Sequence, residues 1–256
     1  MRMTFLGSGT SYGVPVLGCD CPVCRSTDAR DRRYRTSLLV ESGVASLVVD
    51  ATPEFRLQGL RSGLKRLDAL LLTHAHADHI HGLDDVRPLT HDRILPVYGN
   101  RACLDEVGER FPYIFRSSQV GGGKPRIELI EAPQRSIQLA GITVTALPLM
   151  HGELPILGWR FGDFAWLTDC SAIPPATLRL LEGTRIVAID GLRRNPHPTH
   201  FSIGQAIEAA RSIGAKETWI IHITHDHSHV ALEELCHELG ADVGARPAWD
   251  GLVVSS

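Results

Sequence analysis

The feature that most constrains the fold is an apolar run followed at once by three histidines and an aspartate, in residues 68–79, which read DALLLTHAHADH. A continuous apolar run of this length is typical of a strand that is buried on both faces. Side chains two residues apart on an extended chain point to the same side, so His74 and His76 can bind one ion. Asp78 and His79 follow, where the chain turns, and can face a second ion nearby. Imidazole and carboxylate ligands suit zinc, manganese or iron, so the run predicts a metal centre rather than a solvated polar turn.

The same arrangement recurs three times further along the chain, each time as an apolar strand followed by a residue that can bind a metal. His151 follows TALPLM, Asp169 follows AWLT, and His222 follows WII. Any one of these residues alone would be an ordinary polar strand end. Because strands of two sheets can bring their ends to one common edge, we expect these side chains to meet those of the first cluster.

Predicted strands outnumber predicted helices, and the helices are interspersed in both halves of the chain. This order favours two sheets with helices outside them, in a single domain over residues 1–256. The sequence predicts a helix over 79–89 that ends near Pro88. Residues 112–135 are the least regular part, and we expect a variable insertion or loop there.

These residues resemble the metallo-β-lactamase superfamily, and the resemblance covers nearly the whole chain. It implies an α/β fold, an αββα sandwich of two mixed β-sheets flanked by helices, with two divalent ions, zinc or manganese, between the sheets. It also implies the ligands: His74, His76 and His151 for one ion, Asp78, His79 and His222 for the other, and Asp169 as the bridge. The superfamily motif alone does not specify the substrate.

Three cysteines lie within the stretch LGCDCPVC, residues 17–24, namely Cys19, Cys21 and Cys24. They are too many for one disulfide and one too few for an all-cysteine zinc site. In a chain without a recognisable signal peptide or membrane span, which we expect to be cytoplasmic, clustered cysteines bind metal or do redox chemistry more often than they form disulfides. The sequence therefore predicts a structural zinc loop at about 17–25.

A fourth ligand for this zinc is available in the stretch IIHITHDHSH. His225 stands three residues after His222, so it can lie one short turn beyond the metal centre and complete a tetrahedral Cys3His site. His227 and His229 are close competitors, and a redox pair of cysteines is the alternative to a zinc site.

The three cysteines and His225 indicate one branch of this superfamily when they are taken together with two further stretches. These stretches are FLGSGTSYGVP near the N-terminus and HPTHFSIGQA near residue 200. The chain resembles the PhnP-type phosphodiesterases of phosphonate breakdown, which act on cyclic ribose phosphates. It is less closely similar to tRNA 3′-processing ribonucleases.

Catalytic roles are predicted for His200 and Asp78. An alkoxide that leaves a phosphodiester needs a proton, which a histidine can supply near neutral pH. A histidine at the position of His200 does so in the phosphodiesterases that the chain resembles, with His197 as the local rival. Asp50 and Asp190, at two further strand ends, could orient ligand histidines.

We therefore expect hydrolysis of small phosphodiesters, such as cyclic ribose phosphates or nucleotides, by a metal-bridged hydroxide with a histidine general acid. A thioesterase or lactonase, a tRNA-processing nuclease and a non-catalytic scaffold are the alternatives. The formal net charge of −3 and the absence of a long apolar run argue against long nucleic acid and a membrane as partners. A homodimer is compatible with the sequence.

Overall fold

Two β-sheets face each other in the computed structural model, which describes residues 1–117 and 123–256. Within these residues the first sheet has seven strands: β1 (Arg2–Gly7), β2 (Ser37–Ser42), β3 (Ala45–Val49), β4 (Ala69–Leu71), β5 (Leu95–Gly99), β6 (Ile127–Glu131) and β14 (Val253–Ser255). The second also has seven: β7 (Ile137–Leu139), β8 (Ile142–His151), β9 (Leu154–Phe161), β10 (Phe164–Leu167), β11 (Ile186–Asp190), β12 (Glu217–Ile221) and β13 (Ala245–Pro247). The strand orders are β14-β1-β2-β3-β4-β5-β6 and β13-β12-β11-β10-β9-β8-β7.

Helices cover the outer face of each sheet. The first half of the chain contributes α1 (Phe55–Ser62), α2 (Ala77–Ile80), α3 (Arg101–Arg110) and α4 (Pro112–Phe115), and the second half α5 (Pro175–Leu180), α6 (Ile203–Ile213) and α7 (His229–Gly240). Short 3-10 helices span Ala29–Asp31, Leu83–Thr90 and Ala241–Val243. The predicted αββα sandwich is confirmed. None of the helices in the described part of the chain combines the length and the apolar character needed to cross a bilayer.

The central strands are largely apolar because both of their faces are buried, as in β3, β10 and β11. In β2, Leu38 and Val40 point into the core between the two sheets, whereas Leu39 packs in the outer layer with Phe55 of α1. This is the two-residue alternation of an extended chain with each face packed against a different layer. A sheet covered on both sides therefore gives a continuous hydrophobic run instead of an alternating one.

Aromatic side chains join the two sheets at the centre of the core. The ring of Phe5 in the first sheet contacts Trp166 of the second edge-on at 5.3 Å, and lies 6.4 Å from both Phe164 and Trp219. Such pairs contribute about 0.5–1.5 kcal/mol each beyond their buried area. They hold the sheets together beneath the edge at which the functional side chains lie.

Parallel pairing brings several strand ends to that edge. β3, β4 and β5 are parallel neighbours, as are β10, β11 and β12. Three residues within two positions of the end of such a strand adopt left-handed backbone angles, Asp50 at φ 62°, Asp169 at φ 57° and His222 at φ 59°. Left-handed geometry costs a non-glycine residue roughly 1–3 kcal/mol and is concentrated at functional sites. The sharp turn at each strand end is what directs these side chains toward one another.

The helix predicted over 79–89 is wrong in its extent. The structure has the single α-helical turn of α2 and then the 3-10 helix Leu83–Thr90, with Gly82 between them. The N–H of Gly82 donates to the carbonyl of Ala51 at 2.8 Å, so it is taken out of the helical hydrogen-bond ladder. Pro88 has no N–H to continue an α-helix.

The segment 112–135 contains more regular structure than its sequence suggests. Residues 112–115 form α4, and residues 127–131 form β6, which pairs in parallel with β5 at the edge of the first sheet. Only one face of this strand is packed, by Ile127 and Leu129 against the outer core cluster, so its apolar pattern is weak. The central part of the predicted loop, 118–122, lies outside the described residues.

Gly82 provides a test of how tightly the turn after α2 is packed against the residues that follow β3. A Cβ at this position would lie 2.1 Å from the carbonyl oxygen of Thr52 and 3.0 Å from that of Ala51, both of them backbone atoms. We expect Gly82→Ala to lower the free energy of unfolding by about 1–3 kcal/mol in urea denaturation. Gly108→Ala is the control, since a Cβ there meets nothing within 4 Å and alanine favours the helix by up to about 1 kcal/mol. Equal stability of the two variants would contradict this account.

Candidate metal centres and active site

Two clusters of metal-competent side chains share one carboxylate at the edge where the strands end. One consists of His74, His76, His151 and Asp169, the other of Asp78, His79, Asp169 and His222. In each cluster the ligand atoms lie within 4.8 Å of one another. The structure thus brings together all seven residues predicted for the dinuclear site.

The shared residue is Asp169, which follows β10. Its Oδ2 lies 3.2 Å from Nε2 of His79, 3.3 Å from Nε2 of His222 and 3.7 Å from Nε2 of His74. The side chain of Asp169 is almost fully buried. A buried carboxylate with several imidazole nitrogens directed at it needs positive charge between them, which a divalent cation supplies.

Unpartnered nitrogens show that these residues fit a metal. Within the described residues, the buried Nε2 atoms of His74 and His222 have no hydrogen-bond partner. A buried polar atom without a partner costs about 1–3 kcal/mol, so such atoms occur mainly where another group binds them. Their positions at the centre of the two clusters, with carboxylates beside them, suit zinc or manganese.

Other polar groups fix the orientation of the ligand histidines from behind. Nδ1 of His79 lies 2.7 Å from Oδ2 of Asp50, and Asp50 also accepts hydrogen bonds from the N–H and the hydroxyl of Thr73. Nδ1 of His151 donates to the carbonyl of Thr199 at 2.7 Å. Each bond leaves Nε2 of that histidine free to bind a metal, an arrangement that raises the basicity of the ligand. The role predicted for Asp50 agrees with this geometry, whereas the Thr199 carbonyl is a backbone group that no sequence pattern indicates.

The titration behaviour of the site reflects its demand for cations. Burial lowers the pKa of the His79 imidazole, but the carboxylates of Asp169, Asp78 and Asp50 outweigh it and hold that pKa well above its usual value. Burial raises the pKa of Asp169, but the positive charges of His222 and His79 hold it well below its usual value. The histidines likewise outweigh burial at Asp78 and lower its pKa, so Asp78 and Asp169 stay ionised and can bind cations at neutral pH.

His200 is the titratable group beside both clusters. Its ring centroid lies 4.6 Å from that of His151 and stacks on the ring of His222 at 4.8 Å. Its Nδ1 is 2.7 Å from Oδ2 of Asp190, which orients the ring. Burial and the positive charge of His222 lower the pKa of His200 to about 4. Asp190 thus contacts His200, a different histidine from the ligands it was predicted to orient, and its Oδ1 lies 3.9 Å from Nδ1 of His222.

His197, the rival of His200, lies further from the clusters. Its ring is 5.2 Å from that of His200, and its Nδ1 lies 3.2 Å from the hydroxyl of Thr199. The geometry therefore favours His200 over His197 as the group that meets a substrate at the metal centre.

The cysteine loop forms a separate cluster with His225. Nδ1 of His225 lies 3.5, 3.4 and 3.3 Å from the sulfurs of Cys19, Cys21 and Cys24. Nearly equal distances to three sulfurs are what one tetrahedral ion between them requires. The N–H of Cys24 donates to the Cys21 sulfur and lowers the pKa of Cys21 to about 6, which favours a thiolate there. Burial raises the pKa of Cys24 to about 11.

The two competing histidines lie elsewhere. His229 begins α7 and is buried, with its ring 5.6 Å from that of Trp249. His227 is not among the residues that cluster with the cysteines. The structure therefore places His225, as predicted, in the fourth position of the cluster.

A buried ion pair, which the sequence did not indicate, holds the segment that carries His225. The guanidinium of Arg33 is fully buried, donates to Oδ1 of Asp31 at 3.2 Å and donates to the carbonyl of Thr224 at 3.1 Å. Asp31 also accepts from the N–H of His229 at 2.6 Å. Both ends of the segment around His225 are thereby tied to residues 31–33. The charged stretch in which this pair lies gives no sign of which of its residues is buried.

Residues 46–223 match the family described as the beta-lactamase superfamily domain. A solved structure described as a new diphosphatase from the PhnP family is 42% identical in sequence, superposes with a TM-score of 0.90 and is matched over 100% of this chain and 97% of its own. The chain belongs to the PhnP family of the beta-lactamase superfamily.

Two other similar proteins place this family member among its relatives. An octanoyltransferase of Porphyromonas gingivalis is 44% identical over 238 residues, which are 92% of this chain but 48% of that protein. The chain spans about half the length of the first curated relatives that it matches. The zinc-bound PqqB of Methylobacterium extorquens has a TM-score of 0.80 at 18% identity with full coverage of both chains, so the two proteins share the fold.

The cysteine cluster can be tested by metal content. We expect Cys21→Ser to lose one zinc per chain and to unfold at a lower temperature, because a hydroxyl is a poor replacement for a thiolate ligand. Elemental analysis of the purified protein measures the loss. Cys236→Ser is the control, since Cys236 is buried in α7 outside the clusters. Full zinc content in Cys21→Ser would exclude a structural zinc.

The dinuclear assignment makes a different prediction for His76, a ligand of the first cluster. His76→Ala should lose metal from the His/Asp clusters while keeping the zinc bound by the cysteines. The two losses can be separated because Cys21→Ser and His76→Ala should add in the double variant. His91→Ala, at an exposed histidine outside the clusters, should keep the full metal content. Unchanged metal content in His76→Ala would contradict the assignment.

Proposed function

We propose that this protein is a dinuclear metal-dependent phosphodiesterase that hydrolyses small phosphodiesters such as cyclic ribose phosphates or nucleotides. The observation that carries the proposal is His200, held by Asp190 at 2.7 Å beside ligands of both clusters. A site that released only a thiolate would have less need of a dedicated proton donor at this position, because a thiolate is a far weaker base than an alkoxide.

The metal ligands would be those of the two clusters described above. His74, His76 and His151 would hold one ion, Asp78, His79 and His222 the other, with Asp169 between them. Two divalent ions bound there would supply Lewis acidity toward the phosphate oxygens and would lower the pKa of water for hydrolysis at neutral pH. Cys19, Cys21, Cys24 and His225 would hold the structural zinc.

His200 would protonate the oxygen of the leaving group. Because Nδ1 faces Asp190, the Nε2 side of the ring is available to a substrate. Burial lowers the pKa of the His200 ring in the absence of substrate. A phosphodiester brings a negative charge next to the ring, which favours the imidazolium and raises this pKa. The acid would therefore form when the substrate binds.

The relatives support phosphorus chemistry more than acyl transfer. The PhnP-family structure is described as a diphosphatase, and cleavage of a diphosphate, like that of a diester, breaks a P–O bond. The octanoyltransferase is about twice as long as its matched region, and its named activity can reside in the half that this chain does not match. A diphosphate therefore belongs in the substrate panel beside the diesters.

The first experiment is hydrolysis by manganese- or zinc-loaded protein of two phosphodiesters that differ in the leaving group, one a p-nitrophenolate and one an alkoxide. A thioester, a lactone, a nucleoside diphosphate and a short RNA with a 3′ extension complete the panel. We expect turnover of the diesters. Turnover only of the thioester or the lactone would overturn the phosphodiesterase proposal, and turnover only of the RNA would favour a nuclease.

The role of His200 is tested by the same pair of diesters. Because a poor leaving group needs a proton and p-nitrophenolate does not, His200→Ala should lower kcat for the alkoxide ester by about 10²–10⁴-fold and much less for the p-nitrophenyl ester. Metal content should stay unchanged. His197→Ala is the matched control at the rival histidine and should affect both esters little. Equal losses for the two esters in His200→Ala would contradict a proton-donor role.

A further inference from the structure

A pocket of about 260 Å³ opens beside the first metal cluster, on the side formed by α3. His74 and His76 form one wall, the first half of α3 with Ala102 and Glu106 forms another, and Leu154 at the start of β9 forms a third. Apart from His74 and His76, the residues that line this pocket have no role in the two clusters or beside His200.

The pocket and His200 lie on opposite flanks of the site. The ring of His151 lies between them, 5.1 Å from the ring of His76 and 4.6 Å from that of His200. The order along the rim is therefore pocket, His76, His151 and His200. An acyclic diester with its phosphate at the metals would have one substituent beside His200 and the other toward the pocket. Since the group beside His200 is the one that leaves, the pocket faces the group that stays on phosphorus.

The lining indicates an uncharged substituent. Glu106 and Arg110 pair at 2.7 Å, and Arg110 also donates to the carbonyl of Ala75 at 2.7 Å, so the charges of the lining compensate each other. This pair and the imidazoles of His74 and His76 are the acidic and basic side chains that line the described part of the pocket. Ala102 and Leu154 provide apolar surface, while Glu106 can accept hydrogen bonds from hydroxyl groups.

The walls are joined in advance by hydrogen bonds. The side chain of Asn100 caps α3 by accepting from the N–H of Cys103 at 2.8 Å, and it donates to the carbonyl of Pro155 at 2.9 Å. These two bonds connect the start of the helix with the start of β9. A pocket that is already formed needs little ordering when a ligand enters, which favours selective binding.

We infer that this pocket binds the non-leaving substituent of the substrate, and that it selects an uncharged ring with hydroxyl groups, such as a nucleoside. The inference rests on the proposed phosphodiesterase function. The volume is below the roughly 300–1,000 Å³ of pockets for drug-sized ligands, so it accommodates one such group and excludes a long chain. Ala102, Glu106 and Leu154 are then the residues that determine specificity.

The test compares two esters with the same leaving group, thymidine 5′-p-nitrophenyl phosphate and methyl p-nitrophenyl phosphate, on metal-loaded protein. We expect kcat/KM to be at least tenfold higher for the thymidine ester. Ala102→Phe fills the pocket from an exposed position and should remove this preference. Glu109→Phe is the matched control, because Glu109 is exposed on the same helix outside the pocket and the same bulk there should change neither substrate.

A binding measurement that requires no turnover separates recognition from catalysis. Saturation-transfer NMR with thymidine should show contact between the nucleoside and the unsubstituted protein, weaker contact with Ala102→Phe and unchanged contact with Glu109→Phe. Glu106→Gln, with Glu109→Gln as its control, should raise KM for the thymidine ester severalfold and leave kcat nearly constant, because the lost hydrogen bond acts on binding.

The outcomes distinguish this inference from the proposed function. If neither the unsubstituted protein nor any variant hydrolyses the methyl ester or the thymidine ester, the phosphodiesterase proposal fails. If both esters are hydrolysed equally well by the unsubstituted protein, or if Ala102→Phe keeps the preference, the phosphodiesterase proposal stands and the pocket assignment is wrong.

Discussion

The site depends on the way four buried carboxylates are compensated at one edge of the sandwich. Asp50, Asp78, Asp169 and Asp190 all lie there with little or no exposure. Burial raises the pKa of Asp50 and of Asp190. At Asp78 and Asp169 the neighbouring histidines outweigh burial and hold the pKa low, so these two ionised carboxylates depend on positive charge beside them. Asp169 shows the constraint most directly, since three imidazole nitrogens lie within 3.7 Å of one of its oxygens. The left-handed turns at the strand ends bring these carboxyl groups together. The supporting hydrogen bonds then hold the neighbouring histidines beside them.

One short segment after β12 connects the two kinds of metal cluster. His222 belongs to the His/Asp centre, and three residues later His225 faces the cysteines. Arg33 donates a hydrogen bond to the carbonyl of Thr224 in this segment, and Asp31 accepts one from the N–H of His229 at its end. A zinc among the cysteines would therefore fasten the N-terminal loop to the same backbone that positions a catalytic ligand. We interpret the cysteine cluster as a structural support of the active site, because it joins the N-terminal loop to His225, three residues from His222.

The fold was predictable where local chemistry and tertiary packing agree. Continuous apolar runs identified the central strands because a strand between two packed layers has no polar face. The prediction was less accurate where tertiary contacts override the pattern. The helix expected over 79–89 is interrupted because the N–H of Gly82 bonds to Ala51, which is distant in sequence. The edge strand Ile127–Glu131 has only one packed face, so it lacks a continuous apolar run, and the apolar Ile130 on its other face breaks the alternation.

The sequence alone determined the donor chemistry: imidazoles, carboxylates and thiols at spacings that suit metal ions, each placed after an apolar strand or in a tight loop. It could not decide between chemically identical neighbours. Of His200 and His197, the folded chain brings His200 to Asp190, and of His225 and His227 it brings His225 to the three sulfurs. The pocket beside α3 and the burial of Arg33 were likewise decided by tertiary structure. The physical reason is that distances of a few ångströms between residues far apart in sequence are set by the packing of the two sheets, which no local pattern encodes.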